Sequence, residues 1–344
     1  MKMDEIAQLP ADERILYFIE SAFRIGLSPQ VVEKDFWVCW ILRRVFALTD
    51  IGSHITFKGG TSLSKAYGAI RRFSEDVDLA VERSFLGFDG PNDPETAASG
   101  KLRRRLREGL SDACKKRVAA DIVPQLKDAV SSPLQGQEWR LDLDAEDADG
   151  QTVLFQFPST DVTGQNNYFL PSVKLEIGAR SDHFPVESRQ VRPYVQDAVA
   201  SGLLSDPDTM TRVLRIDRTY WEKATILHML AHAPMDKAFG VRMSRHYYDL
   251  FMLADHPEAC SARQNIDLLL RVAIHKASYF NQATAKYQEA RPGSLRLVPD
   301  HRRMDDIEQD YRKMAPMFFE TQPDLRGIMA RLQALEEEIN HTAP

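Results

Sequence analysis

The sequence predicts an α/β fold: a small mixed sheet with flanking helices, followed by a mostly helical C-terminal domain. Three observations carry this expectation. Ile55-Thr56-Phe57 reads as a short strand that runs into Gly59-Gly60 and a helix from Thr61, and Asp76–Val81 then alternates acidic and apolar residues as a half-buried strand does. Trp139–Leu143 and Thr152–Phe157 alternate on either side of Asp149-Gly150, the pattern of an antiparallel hairpin. From about Asp208 the chain reads as predominantly helical to its end, with Trp221, Ala224, Leu227 and Ala231 at core spacing.

The elements follow in order. Asp12–Leu48 reads as two helices broken near Gly26–Pro29, where Ser28 is placed to cap the second helix and Pro29 to occupy its first turn. Gly52–Arg83 supplies the strand–helix–strand core. Gly87–Ser99 is rich in Gly, Pro, Asp and Asn and reads as a loop. Lys101–Val130 reads as one helix, with Leu102, Leu106, Leu110, Ala113 and Val118 near helical spacing. After the hairpin, Ser172–Ile177 is a further strand. The natural division lies near Asp197–Asp208, giving a core domain over 1–200 with the N-terminal helices and a helical domain over 201–344.

Composition narrows the function classes. At 344 residues the chain can bury a sizeable core, and 43% apolar with 27% charged residues is ordinary for a globular protein. No apolar run reaches the ~18 residues that would span a bilayer. The start is acidic and lacks the apolar segment of a signal peptide. Cys39, Cys114 and Cys260 are too scattered for a disulfide framework or a zinc site, so a reducing, cytoplasmic setting is expected. A net charge of −6 argues against a protein that coats nucleic acid, although Lys101–Arg107 and Lys115-Lys116-Arg117 are dense local positive runs.

The stretch Phe57–Leu79, FKGGTSLSKAYGAIRRFSEDVDL, carries the chemistry. Glycines at a strand-to-helix turn let backbone N–H groups approach a phosphate, so Gly59, Gly60, Thr61 and Ser62 form a candidate cradle. Residues i and i+2 of a strand share a face, so Asp76 and Asp78 point the same way while Val77 and Leu79 face the core. Two hard oxygen ligands close behind a phosphate cradle suit Mg²⁺ (or Mn²⁺) and phosphoryl transfer. A Walker-type loop needs a different spacing, which the chain lacks.

At these residues the chain resembles the nucleotidyltransferase fold shared with DNA polymerase β. The fuller form GGTSLSK…RFSEDVDL resembles the AbiEii/AbiGii toxin family, which includes the MenT toxins. Val32–Trp37, Lys174-Leu175-Glu176, Trp221–Ala224, Arg245–Leu250 and Tyr287–Pro299 resemble further blocks of that family, so the likeness runs from about Val32 to about Asn340. It implies a polymerase β-like mixed sheet whose active-site cleft is completed by the helical C-terminal domain. It also implies a nucleotidyltransferase toxin acting on an NTP and an RNA acceptor, with tRNA favoured by family precedent, and an antitoxin encoded nearby as partner. Lys65 and Lys223 would neutralise phosphates, and Asp249 would serve the active site, although His246 stands where many relatives carry another aspartate. In such sites a third metal carboxylate comes from a neighbouring strand. The family pattern favours Glu176, while Asp142 and Asp144 show the same alternation and stay open.

Overall fold

Ser28 accepts a hydrogen bond from Val31 N–H, and Gly26 turns the preceding helix off with φ +70°, so the break foreseen at Gly26–Pro29 is built by local chemistry. The computed structural model describes residues 1–74, 76–160, 170–198, 204–280 and 282–342. Glu75 of the motif and the expected boundary at 200/201 lie outside the described residues.

The chain divides into two compact units. The first comprises Met1–Ala66, Phe73–Asp89 and Glu108–Val213, and the second Tyr67–Arg72, Gly90–Arg107 and Leu214–Pro344. In chain order the elements are α1 (Met3–Gln8), α2 (Ala11–Ile25), α3 (Pro29–Phe46), β1 (Ile55–Lys58), α4 (Gly59–Lys65), β2 (Asp76–Val81), α5 (Gly100–Arg117), α6 (Val123–Ser131), β3 (Arg140–Leu143) and β4 (Thr152–Gln156). There follow β5 (Ser172–Gly178), β6 (Val186–Val191), α7 (Tyr194–Ala198), β7 (Thr209–Leu214), α8 (Ile216–Ala231), α9 (Arg245–Ala254), α10 (Ile266–Tyr279), α11 (Met304–Lys313) and α12 (Leu325–Asn340).

The first unit is organised by a seven-stranded mixed sheet in the order β3-β4-β5-β2-β1-β7-β6. The β1–β2 pair is antiparallel, β2–β5 and β1–β7 are parallel, and β3–β4 and β4–β5 are antiparallel. Alternation gives the sheet two unlike faces. Phe57, Val77, Leu79, Val153, Phe155, Val173, Leu175 and Ile177 are all buried on one face. Trp37 and Trp40 of α3 cover it, stacking on Phe157 and Phe155 at centroid distances of 5.4 and 5.7 Å. Truncating a buried tryptophan of this kind to alanine costs about 3–5 kcal/mol. The opposite face carries Lys58, Asp76, Asp78, Lys174 and Glu176, each half-buried.

Two local readings change. The helix expected over Lys101–Val130 opens into a π turn at Val118–Ile122 before restarting as α6. Pro124 explains this, since it lacks an N–H and its ring clashes with the carbonyl four residues earlier. β6 and β7 were not foreseen, so the helical part begins at Ile216, after a strand that alternates buried and exposed residues.

The second unit contains α8 to α12. Trp221 donates through its indole N–H to Ala262 O, and Asp310 accepts from the N–H groups of Arg242 and Ser244 and from the Ser244 hydroxyl. Among the described residues no helix is long and apolar enough to cross a membrane.

Candidate functional site

The turn between β1 and α4 requires glycine at its first position. Gly59 has φ +78°, and a Cβ there would overlap the Asp78 carboxylate. The Thr61 hydroxyl donates to Asp76 O at 2.5 Å, tying α4 to the start of β2. Ser62 donates to Gly59 O at 3.0 Å. Both hydroxyls therefore brace the turn, and the turn in turn fixes where the two aspartates stand. Gly60, Thr61 and Ser62 are buried.

The register of β2 against its neighbours settles which carboxylates share a row. Asp78 lies directly opposite Glu176 of β5 on one side and Lys58 of β1 on the other, while Asp76 lies opposite Lys174. The Lys58 ammonium is 3.7 Å from Asp78, and the Lys174 ammonium is 2.9 Å from Glu176. Burial works against the charge on Lys174, but Glu176 outweighs it, with Asp76 and Asp144 adding, and raises its pKa. Asp142 sits elsewhere. β3 is three strands from β2, and Asp142 is held there by Lys127 at 2.9 Å and Arg140 at 2.5 Å. Asp144 lies just past β3 and accepts from Glu146 N–H. Among the described residues no group of three His, Cys, Asp or Glu side chains is gathered as a metal centre. The donor set on the polar face still fits a hard divalent cation: carboxylate oxygens on adjacent strands, beside a turn that leaves room only for glycine.

Lys65 is turned away from this role. Its ammonium is 2.6 Å from Asp35 of α3, with both side chains almost fully buried, and lies over the Tyr194 ring at 3.6 Å. Burial disfavours its charge, yet Asp35 overcomes that and raises its pKa. Asp35 also accepts from Tyr194 N–H, while Glu33, two residues earlier in α3, accepts from the N–H and hydroxyl of Thr160. The block Val32–Trp37 thus serves as an anchor for the motif helix.

Lys223, Asp249 and His246 come together in the second unit, where they meet Arg72. Asp249 is fully buried and accepts from Arg72 through both oxygens, at 2.7 and 2.8 Å, with the Lys223 ammonium 2.8 Å away. Burial would raise its pKa, but the two cations hold it well below the usual carboxylate range. Burial lowers the pKa of Lys223 against the pull of Asp249, and burial with Lys223 beside it keeps His246 neutral. Neutral His246 then accepts from Lys223 through Nδ1 at 3.2 Å. The cluster is a satisfied buried ion network. Sequence reading missed Arg72, because nothing local links it to residue 249.

The basic run and a buried histidine make structural contacts. Arg103 donates to the carbonyls of Pro94 and Ala97, and Arg107 to Ser278 O in the last turn of α10, so two members of the basic run serve structural contacts. His228 accepts from Arg296 N–H at Nδ1 and contacts Lys286 O through Nε2, which occupies both ring nitrogens.

Comparison with known proteins agrees with this architecture. The family model described as "Nucleotidyl transferase AbiEii toxin, Type IV TA system" matches residues 40–337. Among solved structures, the chain is similar to MenT4, a nucleotidyltransferase toxin from Mycobacterium tuberculosis H37Rv, with a TM-score of 0.50 and 14% identity over 95% of this chain and 90% of that one. At that identity the likeness concerns the fold. No curated protein matches.

Proposed function

The chain belongs to the AbiEii nucleotidyltransferase toxin family of type IV toxin–antitoxin systems, and from that premise we propose that it transfers a nucleotide from an NTP to an RNA acceptor in the cytoplasm, tRNA being the favoured class. The observation that carries the reading is the row on the polar face of the sheet. Asp76 and Asp78 share that face, Glu176 stands in register beside Asp78, and the Gly59 turn closes against the same carboxylate. Asp76, Asp78 and Glu176 would hold Mg²⁺ or Mn²⁺, which when bound supplies positive charge to the triphosphate and to the attacking oxygen. The acceptor 3′-oxygen forms a bond to the α-phosphorus, the bond to pyrophosphate breaks, and the hydroxyl proton leaves to solvent. The backbone of Gly59 and Gly60 allows close approach of phosphate oxygens, while Thr61 and Ser62 keep the turn rigid. A toxin of this class implies an antitoxin partner.

The test is direct. Purified protein, Mg²⁺ and each labelled NTP in turn are incubated with total RNA or with total protein. Label entering RNA, and lost in Asp76→Asn, supports the proposal. Label entering protein, or none in any fraction, refutes the RNA acceptor.

A further inference from the structure

One helix of the first unit carries an apolar surface that the fold does not use. α2 buries Arg14, Phe18, Ser21 and Ala22, with Phe18 against Phe36 of α3 at a centroid distance of 5.7 Å, and this face joins the helix to the core. Leu16, Ile19 and Phe23 lie on the other side, 63%, 48% and 85% exposed. At ~100° per residue these three fall in one stripe about two turns long, so they form a continuous patch rather than scattered surface residues. The charges beside the stripe are ordered along the helix. Asp12 and Glu13 occupy its first turn and Arg24 its last. α2 also precedes residue 40, where the family match begins, so that likeness gives it no role.

We propose that α2 is a self-association surface, on which two copies of this chain pair their α2 helices antiparallel about a twofold axis near Ile19. A twofold contact joins the same patch of both copies, so a residue i that meets j is matched by j meeting i. Centred between Ile19 and Glu20, the pairing sets Leu16 of each copy against Phe23 of the other, with the two Ile19 side chains between them. It also brings the acidic first turn of each helix to the basic last turn of the other, Glu13 towards Arg24, and it opposes the two helix dipoles. A parallel pairing would set Glu13 against Glu13 and Arg24 against Arg24, so the order of charges selects the antiparallel one. Arg24 donates to Glu20 of its own helix through Nε at 2.6 Å, with both side chains half exposed. A guanidinium has further N–H donors on its other edge, which serve a second carboxylate. A membrane surface suits α2 poorly. Its exposed charges are the acids Asp12, Glu13 and Glu20 against the single base Arg24, whereas an interfacial helix carries lysine and arginine on its polar face.

Sedimentation equilibrium of the full chain over a concentration series tests this. Circular dichroism and the urea midpoint check that each variant folds as wild type does. Wild type is compared with Phe23→Glu, Ile19→Ser, Glu13→Arg, Arg24→Glu and the double swap Glu13→Arg with Arg24→Glu. Wild type is expected to dimerise with a Kd on the order of 10 µM, as suits a small interface. Phe23→Glu is expected to weaken the dimer by at least about tenfold, the scale of losing an aromatic anchor, and Ile19→Ser replaces it in the test should it fold poorly. Each single charge reversal sets like charges against each other and is expected to weaken the dimer about threefold or more. The double swap restores opposite charges in the antiparallel arrangement alone, and is expected to return the affinity to within about twofold of wild type. A chain still monomeric at ~200 µM, or a dimer that neither stripe variant weakens, overturns the proposal. A double swap as weak as the single reversals overturns it too, because the direction of pairing is part of it.

Discussion

Asp249→Asn is the substitution whose outcome most needs to be known, because it bears on how every inactive variant of this chain is interpreted. The carboxylate is fully buried between a bidentate Arg72 and Lys223, with contacts of 2.7 to 2.8 Å. At an effective dielectric of ~20, each cation at that distance is attracted by about 6 kcal/mol, most of it offset by the cost of removing the charges from water. Taking away the one anion leaves two buried cations facing an amide, and breaking such a network costs about 3–5 kcal/mol. That is a large share of the ~5–15 kcal/mol that keeps a domain folded. Lys223→Met is milder, about 1–3 kcal/mol, since Asp249 retains both Arg72 contacts. Urea unfolding followed by tryptophan fluorescence measures both, with the slope compared between variants to confirm that the same transition is observed. The pH dependence gives a second check. The folded pKa of Asp249 lies far below the unfolded value of ~3.9, so its stabilisation is fully present above about pH 4 and is lost as pH falls through the acid range. Wild type should therefore lose stability on acidification more steeply than Asp249→Asn. A variant within about 0.5 kcal/mol of wild type would refute the account of the cluster as a structural network. Loss of transfer in an Asp249 or Lys223 variant is the expected consequence of lost stability at this buried cluster.

Three other outcomes are expected. Asp76→Asn and Asp78→Asn should each abolish nucleotide transfer and Mn²⁺ binding while shifting the unfolding midpoint little, because both side chains are half-buried on a polar face; transfer at the wild-type rate in either variant contradicts the metal assignment. Gly59→Ala should destabilise the chain by at least about 1 kcal/mol and displace Asp78, through the positive φ and the overlap with its carboxylate, so a variant of unchanged stability and activity shows that the turn can relax. Lys65→Met should cost about 3–5 kcal/mol by stranding buried Asp35, with the KM for NTP unchanged; a tenfold rise in KM at wild-type stability would return Lys65 to the phosphates.

What could be read from the sequence was what short-range periodicity encodes. Val77 and Leu79 alternate with Asp76 and Asp78, and the sheet places the first pair in the core and the second on the polar face. Ser28 and Gly26 announced a helix break that their own hydrogen bonding makes. The contest between Glu176 and Asp142 could not be decided by periodicity, because both strands alternate alike. Strand order separates them, and strand order comes from pairings across long stretches of chain. The same limit applies to the cations. Lys65 sits about one and a half helical turns from the glycines and reads as a phosphate ligand until Asp35, on another helix, is seen to pair with it. Arg72 meets Asp249 across 177 residues, a partnership with no local signature. β7 is a different kind of omission: its Thr-Met-Thr-Arg-Val-Leu alternation was legible, but its position next to a long helix obscured it.

The strand order also sets a timetable for synthesis. β1 and β2, which carry the glycine turn and both aspartates, leave the ribosome first yet occupy the middle of the sheet, flanked by β5 on one side and β7 on the other. A nascent chain that has reached Val81 holds the motif as a bare two-stranded ribbon with both edges open, too small to persist alone. Glu176 and the strand beyond β1 are supplied only after residues 172–178 and 209–214 have emerged. At ~5–20 residues per second, that interval lasts roughly 7 to 27 s. The carboxylate row therefore matures late in translation, and truncated products ending before residue 172 carry the signature sequence without the framework that gives it shape.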